Sequence, residues 1–321
     1  MYQKMYLQLR HVSLPYIRFF LRVYFLITVF LISIGSTSFV LAEITLTHPE
    51  VTRYRNEPER SYEMALLVLA LEKTKEKYGT YNFEPLDVKM THSRIVEEMS
   101  ANRYKNLVRS QGYDENLVLR KNLTYIKIPV YLGVLSYRTC FSSKKLLPVL
   151  DDMSDQEQLK KYTQGVRIGW ADRHVLRHNG FKVIEISTLD SLINMVAINR
   201  IDLLCRGASQ VFYDYEKYKS IKNLDYNRSF ALYYPMPIFL YTNKENVELV
   251  ARLEDGLNIA YEDGSLIKLW EQHFKNAFDF QDIEKRKLFK LVNPNVEGVP
   301  FNYEKYFYYK YAETSELSLH H

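Results

Sequence analysis

The hydrophobic and polar positions of residues 166–207 switch between two periods, and this stretch organises our interpretation of the chain. Three short runs rich in Val, Ile and Leu, written VRIGW, FKVIEI and IDLLCRG, are separated by two segments of helical period. The pattern predicts a βαβαβ unit, because consecutive right-handed crossovers lay such strands side by side in parallel. Ligands collect at the carboxyl ends of parallel strands, so this edge is the first place to look for a site.

Two longer β-like stretches are interrupted by residues that break a sheet ladder. The first contains Pro129 and Gly133, and the second contains Pro235 and Pro237. A strand that leaves one sheet for another needs such breaks, because proline cannot donate to the ladder. We therefore expect the chain to leave a first lobe near Gly133 and to return to it near Pro235.

The predicted fold class is α/β with two lobes, each a mainly parallel sheet flanked by helices, joined by two hinge strands. Residues 43–132 form the first part of lobe 1, residues 133–234 form lobe 2, and residues 235–321 form the second part of lobe 1 with a C-terminal tail. A double connection of this kind allows the lobes to close on a ligand.

Residues 1–42 have the composition of a targeting segment. They contain four basic and no acidic residues, an apolar run over residues 23–34, and the small-residue ending Val-Leu-Ala. This order predicts a signal peptide that is cleaved after Ala42, and hence export to the periplasm. The alternative is an uncleaved anchor, since residues 23–41 are just long enough to cross a bilayer.

The charge balance argues against a nucleic-acid partner. The whole chain has 43 basic and 38 acidic residues, and removing the four basic residues of the first 42 leaves 39 against 38 over 279 residues. The positive charge therefore belongs largely to the export signal, and no basic stripe remains that would follow a phosphate backbone. No nucleic-acid partner is expected.

The candidate metal and nucleophilic groups are few. Cys140 and Cys205 pair in one interpretation and are two buried thiols in the other. His174 and His178 share a helix face, but the residues between them lack the glutamate of a zinc-peptidase motif and no third ligand follows. The chain also lacks a nucleophile elbow and a dinucleotide fingerprint. We expect neither an enzyme nor a cofactor.

The order of several pieces resembles a known family. The segments YEMALLVLALEKT, IKIPVYLGVLSYR, GWADRHVL, NRIDLLCRG and LEDGLNIAYEDGSL are similar to bacterial periplasmic substrate-binding proteins of solute-binding protein family 3, the amino-acid ABC transporter type, in a divergent branch. The resemblance covers about residues 44–300. It implies the two-lobed, type II periplasmic-binding-protein-like fold, a monomer, capture of a small polar ligand that is anionic or amino-acid-like, and delivery to an ABC transporter permease in the inner membrane. The alternative is a ligand-sensing or non-transport module that docks to a membrane partner.

The resemblance also implies site residues. In the family an arginine shortly before the first crossing strand clamps the ligand carboxylate, and Arg120 stands at that distance here. Amino-acid binders carry an aspartate where this chain has Gly207, preceded by Arg206. If Arg120 and Arg206 both face the cleft, the cleft suits an anionic ligand. A ligand ammonium group would be buried there without a carboxylate partner, which is costly. Asp172 either supplies that carboxylate or caps a helix.

Four further candidates follow strand ends. Trp170 either stacks on a ligand or packs within a lobe. Arg138 is either a cleft residue or a tie at the hinge. Thr91 and Arg94 come after a second strand that the pattern places over residues 86–90, at the edge where ligands collect. For Arg94 the alternative is a solvated helix face.

Overall fold

The computed structural model describes residues 43–56, 61–86 and 90–308. The predicted signal peptide lies outside the described residues, so cleavage and export stay predictions. Within the described ranges, no helix combines the length and the apolar character that a membrane crossing requires.

Twelve strands are formed by the described residues. They are β1 Ile44–His48, β2 Tyr81–Pro85, β3 Arg109–Gly112, β4 Leu123–Tyr125, β5 Tyr137–Ser143, β6 Thr163–Arg167, β7 Lys182–Ile186, β8 Leu204–Gly207, β9 Leu224–Tyr226, β10 Phe230–Tyr233, β11 Ile238–Asn243 and β12 Lys287–Lys290.

The helices of the same ranges are mostly short. The α-helices are α1 Val51–Asn56, α2 Tyr62–Lys73, α3 Lys75–Tyr78, α4 His92–Ser100, α5 Glu115–Arg120, α6 Leu147–Asp151, α7 Gln156–Leu159, α8 Asp172–His178, α9 Leu189–Ala197, α10 Ala208–Tyr218, α11 Val247–Glu262, α12 Ser265–Trp270 and α13 Asn276–Asp279. A π-helical segment, Glu271–Lys275, joins α12 to α13, and 3₁₀ turns cover Val134–Ser136, Ile283–Lys285, Pro294–Val296 and Glu304–Tyr306.

Lobe 1 has a two-stranded sheet, β2-β1, beside a three-stranded sheet of order β3-β11-β4. β1 and β2 are parallel, and a parallel bridge between Thr47 and Leu107 connects β1 to the segment that becomes β3. β11 is antiparallel to both β3 and β4. Helix α2 is apolar around most of its surface, as expected of a helix that is buried on several sides. It lies so close to α11 that a Cβ at Gly256 would fall 2.1 Å from the carbonyl oxygen of Ala70. Only glycine allows this approach.

The sheet of lobe 2 contains the predicted βαβαβ unit. β6 is parallel to β7, and a parallel bridge between Gln164 and Leu203 connects β6 to the segment that becomes β8. Gly180, which follows α8, has φ +83°, the left-handed conformation expected after a helix. β5 is antiparallel to β8, β9 and β10. Both lobes therefore combine parallel and antiparallel pairs, since in each lobe the strand that follows a crossing runs against its neighbours.

The two crossing segments lie side by side. The amide of Val130 donates to the carbonyl of Ile238 at 2.8 Å, and the amide of Tyr234 donates to the carbonyl of Ser136 at 3.1 Å. Gly133 has φ +79°, and a Cβ there would lie 2.5 Å from the ring of Phe307. The hinge thus needs glycine both for its backbone conformation and for the packing of a C-terminal aromatic ring.

The chain crosses between the lobes twice more after α12, which goes beyond the two predicted hinge strands. β12 falls in the range expected to belong to lobe 1, yet it pairs in parallel with β10 of the lobe 2 sheet. Thr139 of β5 donates to Gln281 at 2.9 Å, so the segment before β12 also lies on lobe 2. The chain then returns, and Tyr113 of lobe 1 donates to the carbonyl of Gly298. The exact lobe boundaries stay a prediction.

Candidate functional site

A cleft of about 600 Å³ lies between the lobes. Lobe 1 contributes residues 91–93, residues 109–114 and Tyr131, and lobe 2 contributes residues 167–174 with residues 205–207. Side chains of the hinge complete its floor. Five of the predicted site residues line this cleft, namely Thr91, Arg138, Trp170, Asp172 and Arg206.

On the lobe 2 wall, Arg206 is held between an aromatic ring and a carboxylate. Its guanidinium lies 4.5 Å from the centre of the Trp170 ring, within cation–π range. Its Nε donates to Oδ2 of Asp214 at 2.8 Å. Arg206 therefore presents a charge that is already partly neutralised, together with a fixed aromatic surface.

At the floor, Arg138 joins the hinge to the first turn of α8. Its Nη2 lies 3.0 Å from Oδ1 of Asp172, and its Nε donates to the hydroxyl of Tyr234 at 3.0 Å. That hydroxyl in turn donates to Asp172 at 2.6 Å. Burial disfavours the charged guanidinium, but the charge of Asp172 and the interactions with Tyr234 together outweigh this and raise the pKa of Arg138. The sequence left two roles open for Arg138. These contacts make it a tie at the hinge, and the residue also lines the cleft.

Asp172 is the first residue of α8, whose N-cap is Ala171, so its carboxylate does not cap the helix. Its Oδ1 instead pairs with Arg138 and accepts from the hydroxyl of Tyr234. A ligand ammonium at Oδ1 would compete with a buried arginine for this oxygen.

The lobe 1 wall is formed by the start of α4 and by β3. The Thr91 hydroxyl accepts from the amide of Arg94 and caps α4, while His92 follows at the cleft. Burial lowers the pKa of His92, and the positive charges of Arg109 and Arg167 lower it further. The neutral form of His92 is therefore favoured, with two cationic side chains near it.

Behind this wall, Glu63 of α2 fixes the start of β3. Its carboxylate accepts from the amide and the hydroxyl of Ser110 and lies 2.9 Å from Nε2 of His48. Burial alone would raise the pKa of Glu63, but these hydrogen bonds and the charge of His48 lower it overall. The network holds the strand that carries Arg109.

Arg120 and Arg94 lie away from the cleft. Arg120 is an exposed residue at the last position of α5, and it is not among the cleft-lining side chains of the described chain. Arg94 lies on the outer face of α4 and is paired with Glu98. The structure thus brings Arg206 to the cleft without Arg120.

Cys140 and Cys205 are joined by a disulfide between directly opposed residues of β5 and β8. The bond lies next to Arg206 and secures the strand that presents it. No group of three or more His, Cys, Asp or Glu side chains suited to a metal ion occurs in the described part of the chain.

Three cleft residues were missed by the sequence analysis: His92, Arg109 and Arg167. Arg109 begins β3, whose sequence RSQG has no apolar run by which to recognise a strand. Arg167 ends β6 but is only the second residue of the predicted strand VRIGW, so the sequence did not place it at the carboxyl end where ligands collect.

The comparisons with known proteins support the fold. No protein-family profile matches the chain, and no curated protein matches it. Among solved structures, it is similar to an ancestral arginine-binding protein bound to arginine, with a TM-score of 0.51 and 15% identity over 73% of this chain and 99% of that one. It is also similar to the periplasmic VFT2 domain of BvgS from Bordetella pertussis, in a double-mutant form, with a TM-score of 0.52 and 18% identity over 72% and 93% of the chains.

A third similar structure is a periplasmic His/Glu/Gln/Arg/opine family-binding protein from Silicibacter pomeroyi in complex with lysine. Its TM-score is 0.50, with 11% identity over 72% of this chain and 96% of that one. At such identities the likeness establishes architecture. The chain has the two-lobed, periplasmic-binding-protein-like α/β fold, as predicted.

Proposed function

We propose that the protein is an exported solute-binding protein, which captures a small polar ligand between its lobes and delivers it to an ABC transporter permease in the inner membrane. The observation that carries this proposal is the cleft of about 600 Å³, which is lined by both lobes and by the hinge. Its volume lies within the range of about 300–1,000 Å³ that is usual for small-molecule sites.

The lining of the cleft suits a polar ligand. It combines arginine side chains, an aromatic face at Trp170 and hydroxyl and amide groups near β3. A ligand that contacts both walls binds the closed arrangement better than the open one and shifts the lobes toward closure. The solved structures of the same fold include binding proteins in complex with arginine and with lysine, which supports ligand capture as the use of this cleft.

A ligand screen tests capture directly. The protein without residues 1–42 is heated in the presence of single L-amino acids, dicarboxylates and small inorganic anions, and its unfolding midpoint is recorded. A compound that binds the folded state raises the midpoint by mass action. If no compound of the panel changes it, ligand capture by this cleft is contradicted.

The two tryptophans give an independent reading of the same binding. Trp170 lines the cleft, whereas Trp270 is fully buried and stacked on Tyr308 at 4.2 Å. Binding should therefore change the emission of Trp170, and Trp170→Phe should abolish that change. A response that persists in Trp170→Phe would place the ligand elsewhere.

Delivery to a permease and docking as a sensor differ in the fate of the N-terminal segment. N-terminal sequencing of the protein from an exporting host should begin at Glu43 if the chain is a released transport receptor. The captured complex should then stimulate ATP hydrolysis by a permease that is encoded beside it, in liposomes. Retention of residues 1–42 together with no stimulation would favour the membrane-anchored sensor.

A further inference from the structure

Two arginines of the cleft, one from each lobe, have no carboxylate partner. Arg109 begins β3 of lobe 1, and Arg167 ends β6 of lobe 2. Both line the cleft, and neither lies within ion-pair distance of any carboxylate in the described ranges. The only hydrogen bond of the Arg167 side chain within those ranges goes from Nε to the carbonyl of Ser187 at 3.2 Å.

The two guanidinium groups share a neighbourhood. The imidazole of His92 feels the positive charge of Arg109 and, less strongly, that of Arg167. Two like charges near one uncharged ring repel each other, and this repulsion increases as the lobes approach. An anion between them would reverse the sign of that interaction and favour closure.

The other charges at the cleft are already matched. Arg138 is paired with Asp172, Arg206 with Asp214, and Arg173 with Glu185 at 3.1 Å. These pairs leave no surplus carboxylate among them.

The remaining acidic side chain at the cleft is also engaged. Asp114 accepts from the amide of Asn116 at 2.9 Å and from its side chain at 3.2 Å, and so caps α5. Because Asp114 keeps its negative charge and offsets one of the two unpaired arginines, the described lining carries one surplus positive charge, and each of its carboxylates already has a partner within the protein.

Position 207 rules out the carboxylate that the family resemblance would place there. A Cβ on Gly207 would lie 2.5 Å from Cδ2 of Leu135 and 2.9 Å from Nη1 of Arg138. An aspartate does not fit without displacing the hinge side chains. The guanidinium of Arg138 lies in the space that an aspartate side chain at position 207 would need.

We propose that the ligand is a small dianion without an ammonium group, held between Arg109 of lobe 1 and Arg167 of lobe 2. The inference rests on the proposed function, because it assigns the chemistry of the same cleft. Each guanidinium offers a planar pair of N–H donors that fits a carboxylate or a phosphate oxygen pair. Dicarboxylates and inorganic oxyanions share this chemistry.

The decisive comparison uses pairs of compounds that differ only in the ammonium group. Glutarate is titrated against L-glutamate, and succinate against L-aspartate, by calorimetry on the protein without residues 1–42. Inorganic phosphate forms a separate arm that distinguishes an oxyanion from a dicarboxylate. We expect glutarate, succinate or phosphate to bind at least tenfold more tightly than either amino acid.

Variants then test the two arginines with the tightest dianion of that set. Arg109→Gln and Arg167→Gln should each weaken binding about tenfold or more, the usual effect of losing one charge-assisted hydrogen bond. Arg200→Gln removes an exposed arginine outside the cleft and serves as the matched control, with no change expected. Unfolding midpoints near that of the parent show that the variants are folded.

Several results would overturn the inference and leave ligand capture intact. They are equal or tighter binding of L-glutamate or L-aspartate, binding of neutral amino acids alone, and dianion affinity that is unchanged in both Arg109→Gln and Arg167→Gln. Failure of every compound, including the full amino-acid panel, would contradict the proposed function and the inference together.

Discussion

Replacing Arg138 by Met removes the buried guanidinium that joins the hinge to α8. The side chains of Arg138 and Asp172 are 5% and 16% exposed, so solvent relieves little of the charge that would be left behind. After the change, the Asp172 carboxylate keeps one hydrogen bond, from Tyr234. The perturbation therefore tests whether Arg138 is a structural tie.

The expected cost follows from this burial. Removing one partner of a buried ion pair destabilises a protein by about 3–5 kcal/mol, because the remaining charge is uncompensated. Asp172 retains a partner and borders the cleft, so we expect about 3 kcal/mol for Arg138→Met. In a domain of this size that loss lowers the unfolding midpoint by about 6–12 °C.

The assay is a double-mutant cycle with Asp172→Asn, which separates the pair from its surroundings. Urea unfolding is followed by circular dichroism and by tryptophan emission. Arg138→Met with Asp172→Asn together should cost clearly less than the sum of the single changes, because no buried charge remains unmatched. Additive costs, or a loss below about 1 kcal/mol for Arg138→Met, would refute the tie.

The remaining predictions concern stability and one untested site residue. The pKa of Glu63 is lowered in the folded state, so its stabilisation is present above its ordinary pKa of 4.5 and is lost as the pH falls below it. Glu63→Gln should lower the unfolding free energy by about 3 kcal/mol at pH 7 and reduce the loss of stability on acidification, as measured by urea unfolding at several pH values. The same loss on acidification in Glu63→Gln and in the parent would contradict the assignment. Reducing the bond between Cys140 and Cys205, which are 65 residues apart, should lower the unfolding free energy by about 4 kcal/mol, whereas the double Ala variant should not respond to reductant. Arg120→Gln should leave the glutarate affinity within about twofold, since a lost charge-assisted contact costs more, and a tenfold loss would return Arg120 to the site.

The parts of the fold that the sequence predicts are those with strong local patterns. β7 and β8 fall within FKVIEI and IDLLCRG, whereas β6 begins at Thr163 and shares only Val166 and Arg167 with VRIGW. Helix α9 begins after Thr188, whose hydroxyl accepts from the amide of Ser191. It falls in one of the two segments of helical period, and its apolar residues Leu192, Ile193 and Val196 are buried.

Long-range and edge features were beyond these patterns. β2 is Tyr81–Pro85, an edge strand of alternating exposure that the sequence did not suggest, and most of the strand predicted over residues 86–90 lies outside the described residues. The pairing of β12 with β10 joins segments more than 50 residues apart and leaves no local signal. Arg120 was placed by family resemblance, and its position at the outer end of α5 depends on how that short helix packs.

Hydrogen–deuterium exchange with the tightest-binding compound of the screen tests the central claim most directly. A ligand held between the lobes should protect amides of residues 109–114 and residues 167–173 at once, because these segments form opposite walls of the cleft. Protection that is confined to one wall, or that appears only at surfaces outside the cleft, would contradict capture between the lobes.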